Sequence, residues 1–197
     1  MSGLQLVLAT ANPDKEVEMR MILEAVLPDV ELVARPSSVP YVEEIGRTFL
    51  DNARLKSEAL CRATGLAAVA DDSGLEVDAL GGAPGLYSAR YAGPSATYQD
   101  NVDKLLLALG SRPDRRARFI SVVTVSFPDG SEIAAEGIVE GTIADAPRGG
   151  GGFGYDPVFL PDGGGGRSYS ELDPDEKHAL SHRGRALREL AIELAAR

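Results

Sequence analysis

The chain has 197 residues, 44% of them hydrophobic, and a formal charge of -10, which suits one sizeable core or two lobes sharing a sheet and is far from a disordered composition. The carboxylate excess argues against sequence-independent contact with a nucleic acid polymer, because that binding is driven by counterion release from phosphates. A polyanionic ligand must therefore be met where the few lysines gather, with metal ions supplying further positive charge. No run reaches the roughly 18 apolar residues of a membrane helix. The opening MSGLQLVLATANPDKE lacks the basic flank and cleavage site of a signal peptide, so a cytoplasmic protein with no membrane partner is expected. The only cysteine, Cys61, rules out an internal disulfide framework or thiolate cluster and reads as a buried thiol.

In chain order, LQLVLAT is a short apolar run expected to be a buried strand, and ANPDKEVEMRMILEAVL reads as a helix. Asn12 can cap it and Pro13 suits its first position, while Val17, Met21 and Ile22 fall at helical spacing. VELVA is a second strand, and the stretch from Arg35 to Gly46 is a loop. TFLDNARLKSEALCRATG is a second helix, with Thr48 and Asp51 placed as a capping box and Gly65 as its stop. LAAVA is a strand expected to end at the pair Asp71-Asp72, followed by glycine-rich turns. SATYQDNVDKLLLALG is a third helix, and RARFISVVTVSFPDGSEIAAEGIVEGTI forms two long strands around PDGS. PDGGGGRS reads as a flexible connection. A C-terminal helical segment then carries Asp173 as cap, Pro174 at the first position, and Leu187, Leu190, Ala191 and Leu194 as its core stripe. Helix crossovers imply parallel strands and the hairpin an antiparallel pair, so the fold class is α/β with a long mixed central sheet.

Six groups of residues could carry chemistry. TANPDK sets Thr10, Asn12 and backbone N–H groups at a helix start with Lys15 about one turn in, and helix N-termini attract anions. It is not a Walker loop, because the glycines and the Gly-Lys-Ser/Thr ending are absent; a simple capped helix is the structural alternative. Asn52 and Lys56 are four apart on one helix face, where a solvated edge is the alternative. Glu43 and Glu44 lie in the loop before that helix. Asp71-Asp72-Ser73-Gly74 stands at the expected carboxyl end of a strand, the usual ligand position in open α/β sheets. Two carboxylates there, with Glu43 or Glu44 as a third, suit Mg²⁺ better than zinc in a chain with two histidines and one cysteine. In GGFGYD, Phe153 or Tyr155 can stack on a planar ring while glycines admit the ligand to the backbone. Lys177 with His182, Arg183 and Gly184 gathers donors where SHRG interrupts the helical pattern.

Together, LATANPDK, FLDNARLKSEAL, ADDSGLEVDALGGAPGLYSARYAG, GGFGYDPVF and EKHALSHRGRAL resemble the noncanonical purine nucleoside triphosphate pyrophosphatases, also called inosine triphosphatases, over nearly the whole chain. The resemblance implies one two-lobed domain spanning residues 1-197, with helices in two lobes around an active-site cleft. It implies a homodimeric, Mg²⁺-dependent enzyme that hydrolyses ITP, dITP and XTP to the monophosphate and pyrophosphate, cleansing the nucleotide pool. Carried over by position, Thr10, Ala11, Asn12, Pro13, Asp14 and Lys15 would hold phosphates with Lys56 and Ser73. Asp72 and Glu43 would serve the metal, with Glu44 as the adjacent substitute, and Asp72 would be the general base. Phe153, Gly154, Tyr155, Asp156, Lys177, His182 and Arg183 would enclose the nucleoside, with His182 and Arg183 reading the 6-oxo group. The competing readings are a non-catalytic sensor of Mg²⁺-nucleotides and a pyrophosphatase for other modified nucleotides.

Overall fold

In the computed structural model, which describes residues 3–197, the leading apolar run forms strand β1 (Gln5–Leu8) and the capped segment after it forms helix α1 (Pro13–Val26). The Asn12 side chain accepts from the N–H groups of Asp14 and Lys15, and Pro13 sits at the first position, where its missing N–H is no loss. Strand β2 (Glu31–Val33) precedes α2 (Phe49–Thr64), which the Thr48–Asp51 capping box opens and Gly65, left-handed at φ 70°, closes. Strand β3 (Ala67–Val77) leads through short 3-10 turns to α3 (Tyr98–Leu109), itself started by a Thr97–Asp100 capping box. Long strands β4 (Arg116–Ser126) and β5 (Glu132–Ile143) follow, then β6 (Phe159–Pro161), α4 (Pro174–Leu180) and α5 (His182–Ala195). One sheet contains all six strands in the order β2-β1-β3-β4-β5-β6. β1 is parallel to β2 and β3, whereas β5 and β6 are antiparallel, so the mixed α/β class expected from the element order holds. No described helix is long and apolar enough to cross a membrane.

The chain divides into two compact units. The first comprises the residues up to Asp72 together with Ser121–Gly137 and Arg183–Arg197. In it, strand alternation sorts side chains into two clusters. Leu6 and Leu8 of β1 and Ala67 and Val69 of β3 pack with Met19, Ile22 and Leu23 of α1 and with Leu187, Leu190 and Leu194 of α5. The intervening Val7, Ala9, Ala68 and Ala70 pack with Leu60 and Cys61 of α2. Thus α1 and α5 cover one face of β1 and β3, and α2 covers the other. Each fully buried leucine contributes about 1.5–3 kcal/mol relative to exposure. The second unit, Ser73–Ile120 and Ile138–His182, has its own core of Leu75, Val77, Leu105, Leu109, Phe119, Phe159 and Tyr169.

Three local expectations are corrected, and one short strand, β6, was not foreseen. β3 does not end at Asp71-Asp72 but continues through Ser73 and Gly74 to Val77; the ion pairs described below hold the carboxylates inside regular strand. Val17 and Met21 are not core residues, being 59% and 43% exposed, and the buried stripe of α1 is Glu18, Met19, Ile22 and Leu23. Spacing alone does not fix the phase of a helix, and here the stripe is one notch around, with a carboxylate in it. Strand β6 lacks a period long enough to read, and its three residues exist because β5 offers an edge. The glycine run after it is a bonded turn, with Gly164 N–H donating to Pro161 O and Arg167 N–H to Gly164 O.

Gly141 of β5 pairs with Pro161 of β6. A Cβ at position 141 would press into the Leu160 carbonyl and stand 2.8 Å from Phe159 Cζ. Gly141→Ala is therefore expected to lower stability by about 1–3 kcal/mol, seen as an earlier urea midpoint at unchanged slope; an unmoved midpoint would refute the close approach.

Candidate active site

The pleat of β3 gives the adjacent aspartates different surroundings. Asp71, with the phase of Ala67 and Val69, points to the α1 and α5 side, where its Oδ2 lies 3.1 Å from Lys15 Nζ and 3.2 Å from both Nε and Nη2 of Arg183. Arg183 also donates from Nη1 to Glu18, the carboxylate in the α1 stripe. Asp72, with the phase of Ala68 and Ala70, points to the α2 side. Its Oδ1 is 3.2 Å from Lys56 Nζ and its Oδ2 accepts from Asn52 Nδ2 at 3.1 Å. Lys56 Nζ also reaches Glu44 Oε1 at 2.7 Å. The first unit thus gathers Lys15, Lys56 and Arg183 with Glu18, Glu44, Asp71 and Asp72, three cations against four carboxylates.

Burial and charge act oppositely on these groups. Burial alone would raise the Asp71 carboxyl, but Lys15, Arg183 and Lys56 outweigh it and hold Asp71 well below the usual carboxylate range. For Asp72 burial wins, aided by Glu44 and opposed by Lys56 and Lys15, so its carboxyl lies above the ordinary value. Burial pulls Lys15 below its ordinary value against the attraction of Asp71. Lys56 is pulled the same way by burial, yet the charges of Asp72, Asp71 and Glu44 prevail and raise it. Asp71 is thus a fixed anion and Asp72 the better proton acceptor.

At the start of α1, Thr10 Oγ1 accepts the Asn12 N–H (3.2 Å), and Asn12 Oδ1 takes the N–H of Asp14 (2.9 Å) and of Lys15 (3.2 Å). Ala11 and Pro13 are exposed on this turn. Asn12 thus takes two of the N–H donors at the helix start, while the Lys15 ammonium stands one turn in on Asp71. Glu43 is exposed and Glu44 is half-buried on Lys56, so of the two adjacent glutamates it is Glu44 that shares a cation with Asp72.

The second unit holds the aromatic group. Phe153 is half-buried, with Lys177 Nζ 4.9 Å from its ring centroid and Tyr98 beside it at 5.8 Å. Asp156 Oδ2 takes the Phe153 N–H at 2.8 Å and the Lys177 ammonium at 2.6 Å. Gly154 makes the turn between them at φ 62°. Tyr155 is buried, its hydroxyl donating to Ser88 O at 2.9 Å, and burial with the nearby Tyr91 raises that hydroxyl above its ordinary value. Of the two aromatic rings, Phe153 retains a surface for stacking. His182 is buried with its ring stacked on Phe119 at 4.5 Å and 7°. Ser73 begins this unit, half-buried in β3.

Arg183 is 3% exposed and its guanidinium engages Asp71 and Glu18, a role that the resemblance did not give it. Arg183→Ala would leave two buried carboxylates short of a cation and is expected to lower stability by about 3–5 kcal/mol at pH 7. Asp71 has a depressed folded value, so its ion-pair stabilisation is complete above its unfolded value near pH 4 and declines as pH falls further. The wild-type advantage in urea unfolding is therefore expected to shrink steadily below about pH 4. An advantage under 1 kcal/mol at neutral pH, or one that grows in acid, would contradict this placement.

The sequence model of the Ham1 family matches residues 6–193. The dITP/XTP pyrophosphatase of Streptomyces coelicolor is 49% identical over 191 residues, covering 94% of each chain. That of Streptomyces avermitilis is 48% identical over 190 residues, again covering 94% of each. The solved structure of a HAM1 protein from Coxiella burnetii superposes with a TM-score of 0.88 at 41% identity, covering 98% of this chain and 100% of that one. With lysines of α1 and α2 gathered on the two aspartates of β3 and a family match that runs from the first strand into the last helix, the chain belongs to the Ham1 family.

Proposed function

We propose that the whole chain is one pyrophosphatase domain that hydrolyses dITP, XTP and ITP to the monophosphate and pyrophosphate, removing these nucleotides from the pool. The observation that carries this reading is Asp72, a buried carboxylate with a raised pKa set between Lys56 and Asn52, in a chain whose relatives are named dITP/XTP pyrophosphatases. A water attacks the α-phosphorus and gives its proton to the Asp72 carboxylate. The bond from the α-phosphorus to the bridging oxygen breaks, and pyrophosphate leaves with the electron pair. Lys15 and Lys56 bind the phosphates and offset the charge that develops on the leaving group. The turn Thr10 to Lys15 and Ser73 supply the remaining phosphate donors.

The donor set suits Mg²⁺. That ion takes one or two protein carboxylates and fills its other positions with water and substrate phosphate. Asp72 and Glu44, two hard carboxylates already sharing one cation, are the residues that would hold it. Glu44 is preferred to Glu43 because Glu43 is exposed. Among the described residues no three or more His, Cys, Asp or Glu side chains gather as a metal cage, which fits a metal delivered with the triphosphate. When bound, Mg²⁺ supplies positive charge against the triphosphate and the departing pyrophosphate.

Phe153 offers the stacking face for the purine, and Lys177, held by Asp156 at 2.6 Å, offers a donor to its 6-oxo group. The 6-amino group of adenine leaves that donor unpaired, a mismatch that can give discrimination of roughly 10⁴. His182, whose ring stacks on Phe119, is proposed as a further reader of the 6-oxo group. We place the enzyme in the cytoplasm as a homodimer; exposed Val17 and Met21 on one face of α1 are apolar surface of the kind a partner copy covers.

Hydrolysis of a triphosphate panel in ¹⁸O-water tests the reading. Pyrophosphate release should favour dITP and XTP over dATP, with the label in the monophosphate; label in pyrophosphate, or release of inorganic phosphate alone, would overturn it. Lys177→Ala is expected to narrow the dITP to dATP ratio of kcat/KM about 10- to 150-fold, and equal losses on both nucleotides would remove Lys177 from base selection.

A further inference from the structure

Asn52 links the loop that carries Glu44 to the strand that carries Asp72 through a neutral side chain. It is 1% exposed. Its Oδ1 accepts the Gly46 backbone N–H at 2.8 Å, and its Nδ2 donates to Asp72 Oδ2 at 3.1 Å. The amide orientation follows from chemistry, because a backbone N–H only donates and a carboxylate only accepts. Gly46 closes on this side chain so tightly that a Cβ there would stand 2.6 Å from Asn52 Oδ1 and 2.5 Å from Asp51 Cβ. Two residues earlier in the same loop is Glu44, which shares Lys56 with Asp72. The amide therefore ties the strand that bears one carboxylate to the loop that bears the other.

We infer that Asn52 is a positioning residue that sets the separation and orientation of the Asp72 and Glu44 carboxylates toward the metal-bound triphosphate, an inference that rests on the role proposed for Asp72. Helix formation does not call for it, since asparagine is a weaker helix former than alanine or leucine. Nor can another side chain of similar size replace it. Aspartate keeps the acceptor for Gly46 but sets a third carboxylate against Asp72, and leucine satisfies neither partner.

Three variants, Asn52→Ala, Asn52→Asp and Gly46→Ala, test the inference against wild type and Asp72→Asn. Two quantities are measured across a Mg²⁺ titration: pyrophosphate release from dITP, and affinity for an α,β-methylene dITP analogue that cannot be cleaved. Residues that orient metal-binding groups typically change metal affinity or activity by 10- to 100-fold. Each variant that remains folded should accordingly need about 10- to 100-fold more Mg²⁺ for half-maximal release and for half-maximal analogue binding. Its analogue affinity in the absence of Mg²⁺ should stay within about twofold of wild type. An unchanged Mg²⁺ requirement in folded Asn52→Asp or Gly46→Ala, while Asp72→Asn loses turnover, would overturn the positioning role alone. Wild-type turnover and Mg²⁺ dependence in Asp72→Asn would overturn the reading of Asp72 and this inference with it.

Discussion

A β-strand that carries two adjacent carboxylates must send them to opposite faces of its sheet, and the chemistry of the first unit depends on that constraint. Asp71 falls on the face covered by α1 and α5 and meets Lys15 and Arg183. Asp72 falls on the face covered by α2 and meets Asn52 and Lys56. Two like charges one residue apart would oppose each other's ionisation in a shared pocket; separated by the strand, each has its own direct ion pair, while both lysines act on both carboxylates. The same pleat that sorts the core into two apolar clusters thus gives Asp71 to the ion pairs of α1 and α5 and leaves Asp72 with Lys56 and Asn52, the surroundings on which the proposed role of Asp72 rests.

The cations follow a similar division. Arg183 presents a rigid fork that can serve Asp71 and Glu18 together, which suits a permanent buried pairing. Lys56 is a point charge on a flexible stem, shared at 2.7 Å and 3.2 Å between Glu44 and Asp72, and such a group can move to a phosphate without abandoning a bidentate geometry. Fixed pairing by arginine and adjustable pairing by lysine thus stand side by side in one small region, which is what the proposed binding of a polyanion there requires.

Three helix starts were legible in the sequence because their signals are local, whereas the Thr97–Asp100 box of α3 and the separate start of α5 at His182 were not read. Asn12-Pro13, Thr48 with Asp51 and Asp173-Pro174 each act within one turn. The members of the two candidate groups, the lysines and carboxylates of the first unit and the aromatic turn of the second, were legible too, since they stand in recognisable runs. What the runs do not carry is direction. The length of β3 past Asp72 depends on neighbouring strands, the choice between Glu43 and Glu44 depends on a loop's path, and the burial of Glu18 depends on an arginine 165 residues away. Asn52 had a readable signal in its four-residue spacing from Lys56 and its low helix propensity, but its two partners, Gly46 and Asp72, are set by tertiary contact.

The division of labour between the two aspartates is tested most directly by comparing Asp71→Asn with Asp72→Asn, measuring urea unfolding and pyrophosphate release from dITP on the same preparations. Asp71→Asn breaks a buried ion pair and should lower stability by about 3–5 kcal/mol. Asp72→Asn keeps the shape of a side chain whose charge burial disfavours, so it should unfold within about 1 kcal/mol of wild type while turnover falls at least 10²- to 10⁴-fold. Equal destabilisation by both substitutions, or turnover of wild-type magnitude in Asp72→Asn, would contradict the account.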